Sequence, residues 1–546
     1  MTSSQEFALS AARKYLQSVV FVDDEIYVPV PATEVRVGVK GAALGMKVFA
    51  KPREPKIETV VEVKDQAEVD AAGKDEPELY HPKNLVESFA RERMVCALYE
   101  PKKDFPTDPE SEIFKLCERA DVVILDWEFY KEPGKKVMEL IANLVASAQT
   151  TVPHHVRLCA IYTTNQNLKH VASQVFDHLQ KQGLRVGADG EYNLEAGSSR
   201  IVVLGKPTTG RPDDQVKAAQ VAEADLADRI IREFAKMHEG ILPSMALQGL
   251  ASVRTNTKKI LDKFRKEMDG AFLAHRGLIL PGDDAFEQIP ELLAEEALAV
   301  MIDNQIGQEV ATKLANKAID GMSIATAWPR KTGNKDVGDV SAIGLLKNGP
   351  GKIRDRVHLD SAALDALHAE MDKGSHSAKE RLAALYTTRT QYGSDRKLEF
   401  GTIARRKLLD DQYEYSICLM PLCDCVRLKN GTSYQFPFWK LRVDNKSASS
   451  KGMVVELPDG SFIELFSMGK PRDQLWMGDF KASASKMVVA EKLGDDFLFK
   501  GEVAELQWVA QLKPSHAQRI AQDIGNSFAR VGVLEAEWLR LKADRL

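Results

Sequence analysis

Residues Asp121-Val122-Val123-Ile124-Leu125-Asp126-Trp127-Glu128-Phe129 place the tightest constraint on how the chain folds. An apolar run ends abruptly in a carboxylate and gives way to a polar segment with proline and glycine. A strand that is apolar on both faces needs cover on both faces, as a central strand of a parallel sheet has between helices. Open sheets of that kind build their sites outside the carboxyl ends of the strands. Asp126 therefore stands at a site if other strand ends bring chemistry to it.

The first half of the chain supplies such ends. A helical pattern over 5–18 leads into Val19-Val20-Phe21-Val22-Asp23-Asp24-Glu25, a second apolar run closed by acids. Residues 29–83 are punctuated by prolines and read as an insertion. A helix near 84–93 and a strand over Met94–Glu100 follow, and then a helix marked by Ile113, Leu116, Cys117 and Ala120 at three- and four-residue spacing. After the 121–129 strand come an amphipathic helix through Val137 and Val145, and the strand Arg157–Tyr162 ending in Thr163-Thr164. A helix through Leu168 and Leu179 precedes the strand Ile201–Leu204, which ends in Gly205-Lys206-Pro207, and a helix over about 216–237 closes the unit. Strands alternating with helices at this spacing predict a parallel (βα)5 sheet with right-handed crossovers.

At 546 residues the chain exceeds one ordinary core. Three domains are expected: residues 1–239 with the insertion 29–83, a mostly helical part over 240–400, and an α+β part over 401–546. A Gly/Lys/Asp-rich loop is expected at 330–355, with helical patterning at 361–372 and 377–391. Strands are expected at Tyr415–Met420, Tyr434–Val443, Gly452–Leu457 and Ser461–Phe466, then helices over 514–528 and 534–543. Apolar content of 44%, charged content of 28% and a net charge of −5 argue against a polycation built for bulk nucleic-acid binding. No apolar run reaches the roughly 20 residues of a membrane helix, and no signal peptide is evident. The six cysteines lack framework spacing and read as reduced thiols of a cytoplasmic protein.

In a (βα)5 sheet the ends carrying Asp23 and Asp24, Asp126, Thr163 or Thr164, and Lys206 with Pro207 are neighbours. Clustered carboxylates repel, and a hard divalent cation such as Mg2+ relieves that repulsion through oxygen ligands. An ammonium and a hydroxyl beside a carboxylate can bind phosphoryl oxygens, and the carboxylate itself can serve as nucleophile.

This set resembles the receiver domain of two-component response regulators, over residues 19–237. The resemblance implies a flavodoxin-like, doubly wound fold, with Asp126 as phosphoacceptor and a histidine kinase as phosphodonor. By the same resemblance Asp24 ligates Mg2+ directly, Asp23 acts through water, and the Glu128 carbonyl completes the metal site. Thr163 is the switch hydroxyl, with Thr164 as its rival, while Lys206 contacts the phosphoryl group and Pro207 supplies the family's Lys-Pro peptide, usually cis. The sequence departs from the family at the insertion, at the long stretch 183–199, and in lacking an aromatic just before Lys206. The layout also resembles, more weakly, receiver-bearing proteins of phage-defence loci.

Elsewhere the chemistry is sparse. Cys418, Cys423 and Cys425 lack the further ligands zinc needs, and Cys423 as a nucleophile has no base the sequence can place; small buried residues at a strand–turn are the expectation. Arg254, Lys258, Lys259, Lys263, Arg265 and Lys266, with Arg405-Arg406-Lys407, form basic clusters whose default is a solvated face. They leave open an alternative function, a nucleic-acid- or protein-binding module on a passive receiver-like platform. His275 is read as packed or capping. The output domains carry no catalytic set, so enzymatic activity is confined to the receiver's own phosphoryl chemistry. A phosphate sink and a homodimer are further readings.

Overall fold

The computed structural model of the chain describes residues 3–26, 82–150, 156–279, 284–303, 308–320, 327–332, 335–348, 378–408, 412–443, 452–467, 471–502 and 504–528. By their internal contacts they form two compact units, Met1–Met322 and Ser323–Leu546. The insertion at 29–83 lies outside the described residues but for the first two residues of α2, and the predicted helices at 361–372 and 534–543 lie wholly outside them.

In the first unit the strands β1 (Ser18–Val22), β2 (Val95–Tyr99), β3 (Val122–Leu125), β4 (Arg157–Thr163) and β5 (Ser199–Gly205) are ordered β2-β1-β3-β4-β5. All four pairings among them are parallel. The alternation along β3 shows why it had to be apolar throughout. Val123 and Leu125 enter one core with α3 (Glu112–Glu118), α4 (Lys135–Thr150) and α5 (Leu168–Lys181). Val122 and Ile124 enter the opposite core with α1 (Ser3–Tyr15), α2 (Pro82–Arg91) and α7 (Glu223–Met237). The order reverses between β1 and β3, so the crevice at their carboxyl ends is the topological switch point.

Two features differ from the sequence expectation. The long stretch 183–199 folds into short antiparallel strands, Gly187–Ala188 and Asn193–Ala196, that pair onto β5 and widen the sheet to seven strands. The helix expected over 216–237 is two, α6 (Asp213–Ala219) and α7. They break at Gln220 because the backbone there is drawn to β5: Gln220 bridges Gly205, and Val221 N donates to Gly205 O at 2.9 Å.

The unit continues through α8 (Ile241–Thr255), α9 (Thr257–Leu261), α10 (Asp269–Leu278), α11 (Asp284–Asp303) and α12 (Gln308–Asp320). α1 lies against α7, α8 and α12. At the end of β3 opposite Asp126, Asp121 Oδ2 accepts from Gln17 N at 2.9 Å and from Ser18 N at 3.0 Å, and Arg254 Nη1 of α8 reaches Asp121 Oδ1 at 3.2 Å.

The second unit is built on a nine-stranded antiparallel sheet. Within the loop expected at 330–355, of which 333–334 and 349–355 lie outside the described residues, the strands Ala327–Thr332 and Lys335–Ser341 pair antiparallel, and a helix follows over Ala342–Asn348. The sheet begins at Thr402–Lys407, earlier than expected, and the strands Leu475–Lys481, Asp496–Lys500 and Glu505–Gln511 go beyond the sequence expectation. Phe436, Phe438 and Trp439 of Ser433–Val443 are fully buried core residues. No described helix is long and apolar enough to cross a membrane.

Candidate functional site

Asp23 and Asp126 follow directly on β1 and β3, and backbone hydrogen bonds hold both in the sheet. Asp23 N donates to Tyr99 O at 3.3 Å and Asp126 N to Val22 O at 3.0 Å. The carboxylates of Asp23, Asp24 and Asp126 offer oxygens within 4.8 Å of one another, the sole such acid, thiol or imidazole grouping among the described residues. Lys206, one residue past β5, bridges the cluster, with Nζ 3.0 Å from Asp23 Oδ2 and 3.3 Å from Asp126 Oδ1. Asp23 is fully buried and Lys206 nearly so, while Pro207, the next residue, is exposed.

Burial and the neighbouring Asp23 push the Asp126 carboxyl well above the usual range. Burial raises Asp24 too, although the Tyr130 amide hydrogen bond opposes it. Burial lowers the Lys206 ammonium against the pull of Asp23. One internal cation among three acids leaves negative charge uncompensated, which is the condition a hard divalent ion satisfies. The all-oxygen donor set fits Mg2+.

The loop after β3 sets the rim. Trp127 N donates to Asp126 Oδ1 at 2.8 Å, and Gly134 N returns to Trp127 O at 2.8 Å. At its turn Tyr130 and Lys131 adopt left-handed φ of 51° and 67°, a strained backbone for residues with a Cβ. That turn aims Tyr130 N at Asp24 Oδ2, 2.6 Å away, and fixes the carboxylate. Gly134, at φ 76°, is required twice over, since a Cβ there would lie 2.3 Å from Trp127 Cζ2. The Glu128 side chain points outward, exposed.

Thr163 is buried at the end of β4, its Oγ1 accepting from Asn165 N at 3.1 Å, whereas Thr164 is exposed. Lys206 N donates to Thr163 O at 2.8 Å, so the hydroxyl and ammonium ends are registered to each other. Nothing in the sequence points to the residue that fastens them. Arg211 is buried, with Nη1 donating to Lys206 O at 2.7 Å and Nη2 to Thr163 O at 3.2 Å and Asn165 O at 3.0 Å. In sequence it sits in a Pro-Thr-Thr-Gly-Arg stretch that reads as an ordinary solvated loop.

Residues 15–211 match the family model described as a response receiver domain. The chain carries a receiver domain at its N-terminus. The match covers less than half of the 546 residues. Searches of curated proteins and of solved structures found no match.

Outside the receiver domain most of the residues expected to make contacts are engaged within the chain. Arg254 clasps Asp121, and Lys258 pairs with Asp262. Arg405 lies over the Tyr413 ring at 4.0 Å, and Arg406 Nη2 meets Glu414 Oε1 at 2.7 Å. Lys259 is exposed, as is His275 in the last turn of α10. Cys418 and Cys425 are buried, and burial pushes the Cys425 thiol up to about 12. Cys423 is exposed, contrary to the expectation of a packed residue.

Proposed function

We propose that the chain is a phosphoacceptor response regulator in which Asp126 takes a phosphoryl group from the phosphohistidine of a partner kinase, with Mg2+ as cofactor. The observation that carries this reading is the Lys206 bridge between Asp23 and Asp126, at 3.0 and 3.3 Å, within a three-carboxylate cluster. Asp126 Oδ1 is occupied by Trp127 N and Lys206, which leaves Oδ2 to attack phosphorus. The new O–P bond forms as the P–N bond breaks, and the electron pair stays on the imidazole nitrogen. Lys206 then exchanges a carboxylate for a phosphoryl oxygen, and Thr163 turns its hydroxyl toward another. Asp23, Asp24, Asp126 and the Glu128 carbonyl would hold Mg2+, which supplies charge neutralisation for the incoming phosphoryl group.

The added charge of about −2 acts on a receiver domain whose helical extension shares its contacts, so the proposed output runs through residues 240–546. The alternative of a basic nucleic-acid-binding module has less support, because Arg254, Lys258, Arg405 and Arg406 are already engaged within the chain. A role in antiviral defence, or as a phosphate sink, rests on sequence layout, and the neighbouring genes are its test.

The experiment is exposure of wild type and Asp126→Asn to acetyl phosphate or beryllofluoride with and without Mg2+, read by intact mass and by intrinsic tryptophan fluorescence, to which Trp127 beside the site contributes. A Mg2+-dependent response confined to the wild type is expected. A response that survives in Asp126→Asn, or none in either, removes the phosphoacceptor assignment.

A further inference from the structure

Asp23, Asp126 and Lys206 extend one face of the receiver sheet. Side chains alternate along a strand, and Phe21, Ile124 and Leu204 all enter the core shared with α1, α2 and α7. Each acid, and the lysine, stands two residues beyond one of these, on the same side of the sheet. β4 runs between β3 and β5. With strands about 4.8 Å apart, the Lys206 side chain has to pass over β4 to meet Asp126, and farther to meet Asp23. The last residue that β4 places on this face is Tyr162, paired in register with Leu204. Lys206 Nζ lies 5.8 Å from the centroid of the Tyr162 ring, inside the roughly 6 Å limit of a cation–π contact.

The ring itself is fixed. It is fully buried, and the Phe21 ring meets it edge to face at 6.5 Å between centroids. Its hydroxyl donates to Val221 O at 2.8 Å, and Val221 N donates to Gly205 O at 2.9 Å. Gly205 precedes Lys206, so the ring is tied through Val221 to the backbone that delivers the lysine. An aromatic face attracts an ammonium through its quadrupole and prescribes no single N–H direction. The ammonium can therefore exchange a carboxylate oxygen for a phosphoryl oxygen without leaving the ring. An aliphatic side chain in the same place would offer a buried charge no attraction.

We infer that Tyr162 is a positioning residue of the site: its ring seats the Lys206 ammonium beside Asp23 and Asp126, and its hydroxyl holds the ring in place through Val221. Tyr162 acts through Lys206, and this role rests on the phosphoacceptor reading.

The test uses the full chain and the rate of Asp126 phosphorylation by acetyl phosphate at saturating Mg2+, read by intact mass. Tyr162→Phe keeps the ring and is expected to keep the rate within about twofold, although its stability falls with the lost hydrogen bond. Tyr162→Leu and Tyr162→Met fill the space without a ring, and the flexible methionine serves where leucine packs badly. Both are expected to be slower by about tenfold, with Mg2+ binding retained as the sign of a folded site. A double-mutant cycle of Tyr162→Leu with Lys206→Met, by urea denaturation without metal, separates seating from packing. The fall in the unfolding constant's favour for the native state caused by Tyr162→Leu is expected to be about tenfold smaller once the ammonium is gone. Ring-free variants as fast as wild type, a Tyr162→Phe as slow as they are, or an additive cycle overturns the inference. A wild type that takes no phosphate removes the phosphoacceptor reading and this role with it, whereas an additive cycle in a protein that is phosphorylated on Asp126 removes the role alone.

Discussion

At the residue scale the receiver site is an under-neutralised cluster, and its pH behaviour follows. Asp24 and Asp126 have raised carboxyl pKa values. Between the ordinary carboxylate value, about 4, and those raised values, the folded protein holds more protons than the unfolded one. Metal-free stability contributed by the site therefore falls as pH rises through that window. Mg2+ requires the deprotonated acids, so its affinity is expected to drop as pH falls through the same window. Titration of intrinsic tryptophan fluorescence with Mg2+ at several pH values, wild type against Asp126→Asn, checks the second statement. Thermal melts of wild type against Asp126→Asn, without metal, check the first: the variant is expected to lose part of the acid-side gain.

Lys206→Met is expected to leave Asp23 and Asp126 without their cation and to destabilise the metal-free protein by about 3–5 kcal/mol. Saturating Mg2+ should recover a measurable part of that loss in urea denaturation.

At the element scale the site depends on how β4 and β5 are fastened at their ends. Arg211 does this across Thr163, Asn165 and Lys206, and the space it fills is the space a side chain at residue 205 would need. A Cβ on Gly205 would lie 2.2 Å from Arg211 Nη1. A guanidinium is ordinarily a movable neighbour, but this one is held by several buried carbonyls. Gly205→Ala and Arg211→Ala are each expected to cost about 2–4 kcal/mol. In the Arg211→Ala background the Gly205→Ala cost should largely vanish, and a double-mutant cycle by chemical denaturation measures that coupling.

The same scale shows what the sequence can reveal. β1, β3, β4 and β5 are legible because each is buried on both faces, and so short a run without polar positions fits little besides a strand covered on both sides. Asp23, Asp126, Thr163 and Lys206 are legible because each terminates such a run. Strand Thr402–Lys407 reads as a basic cluster because Arg405 and Arg406 hide their strand role, lying over the Tyr413 and Trp476 rings. The 327–341 hairpin escapes a sequence reading because its strands are rich in lysine, aspartate and glycine, with little apolar alternation to betray a sheet face. Arg211 is invisible to any such reading: its importance comes from carbonyls that only the folded backbone assembles.

At the scale of the whole molecule the contacts separate after Met322, so the receiver domain and its helical extension belong to one unit. A fragment of residues 1–322 is expected to fold, since a compact unit has its own core. It should bind Mg2+ with a midpoint within about twofold of the full chain, as measured by the same fluorescence titration. A fragment that aggregates or loses the response would place part of its support in residues 323–546.

The widening of the sheet to seven strands also changes the standing of β5. The antiparallel strand Asn193–Ala196 pairs with Ser199–Val202, Val203 N donates to Tyr192 O at 2.9 Å, and Gly205 meets Gln220 and Val221. The strand that delivers Lys206 is thereby an interior strand, bonded on both sides along its length, where the bare five-stranded order would have left it at the rim. Its amide protons should exchange with deuterium as slowly as those of β3, and more slowly than those of the opposite margin at Val95–Tyr99. The lysine is thus carried at the end of a strand held on both sides.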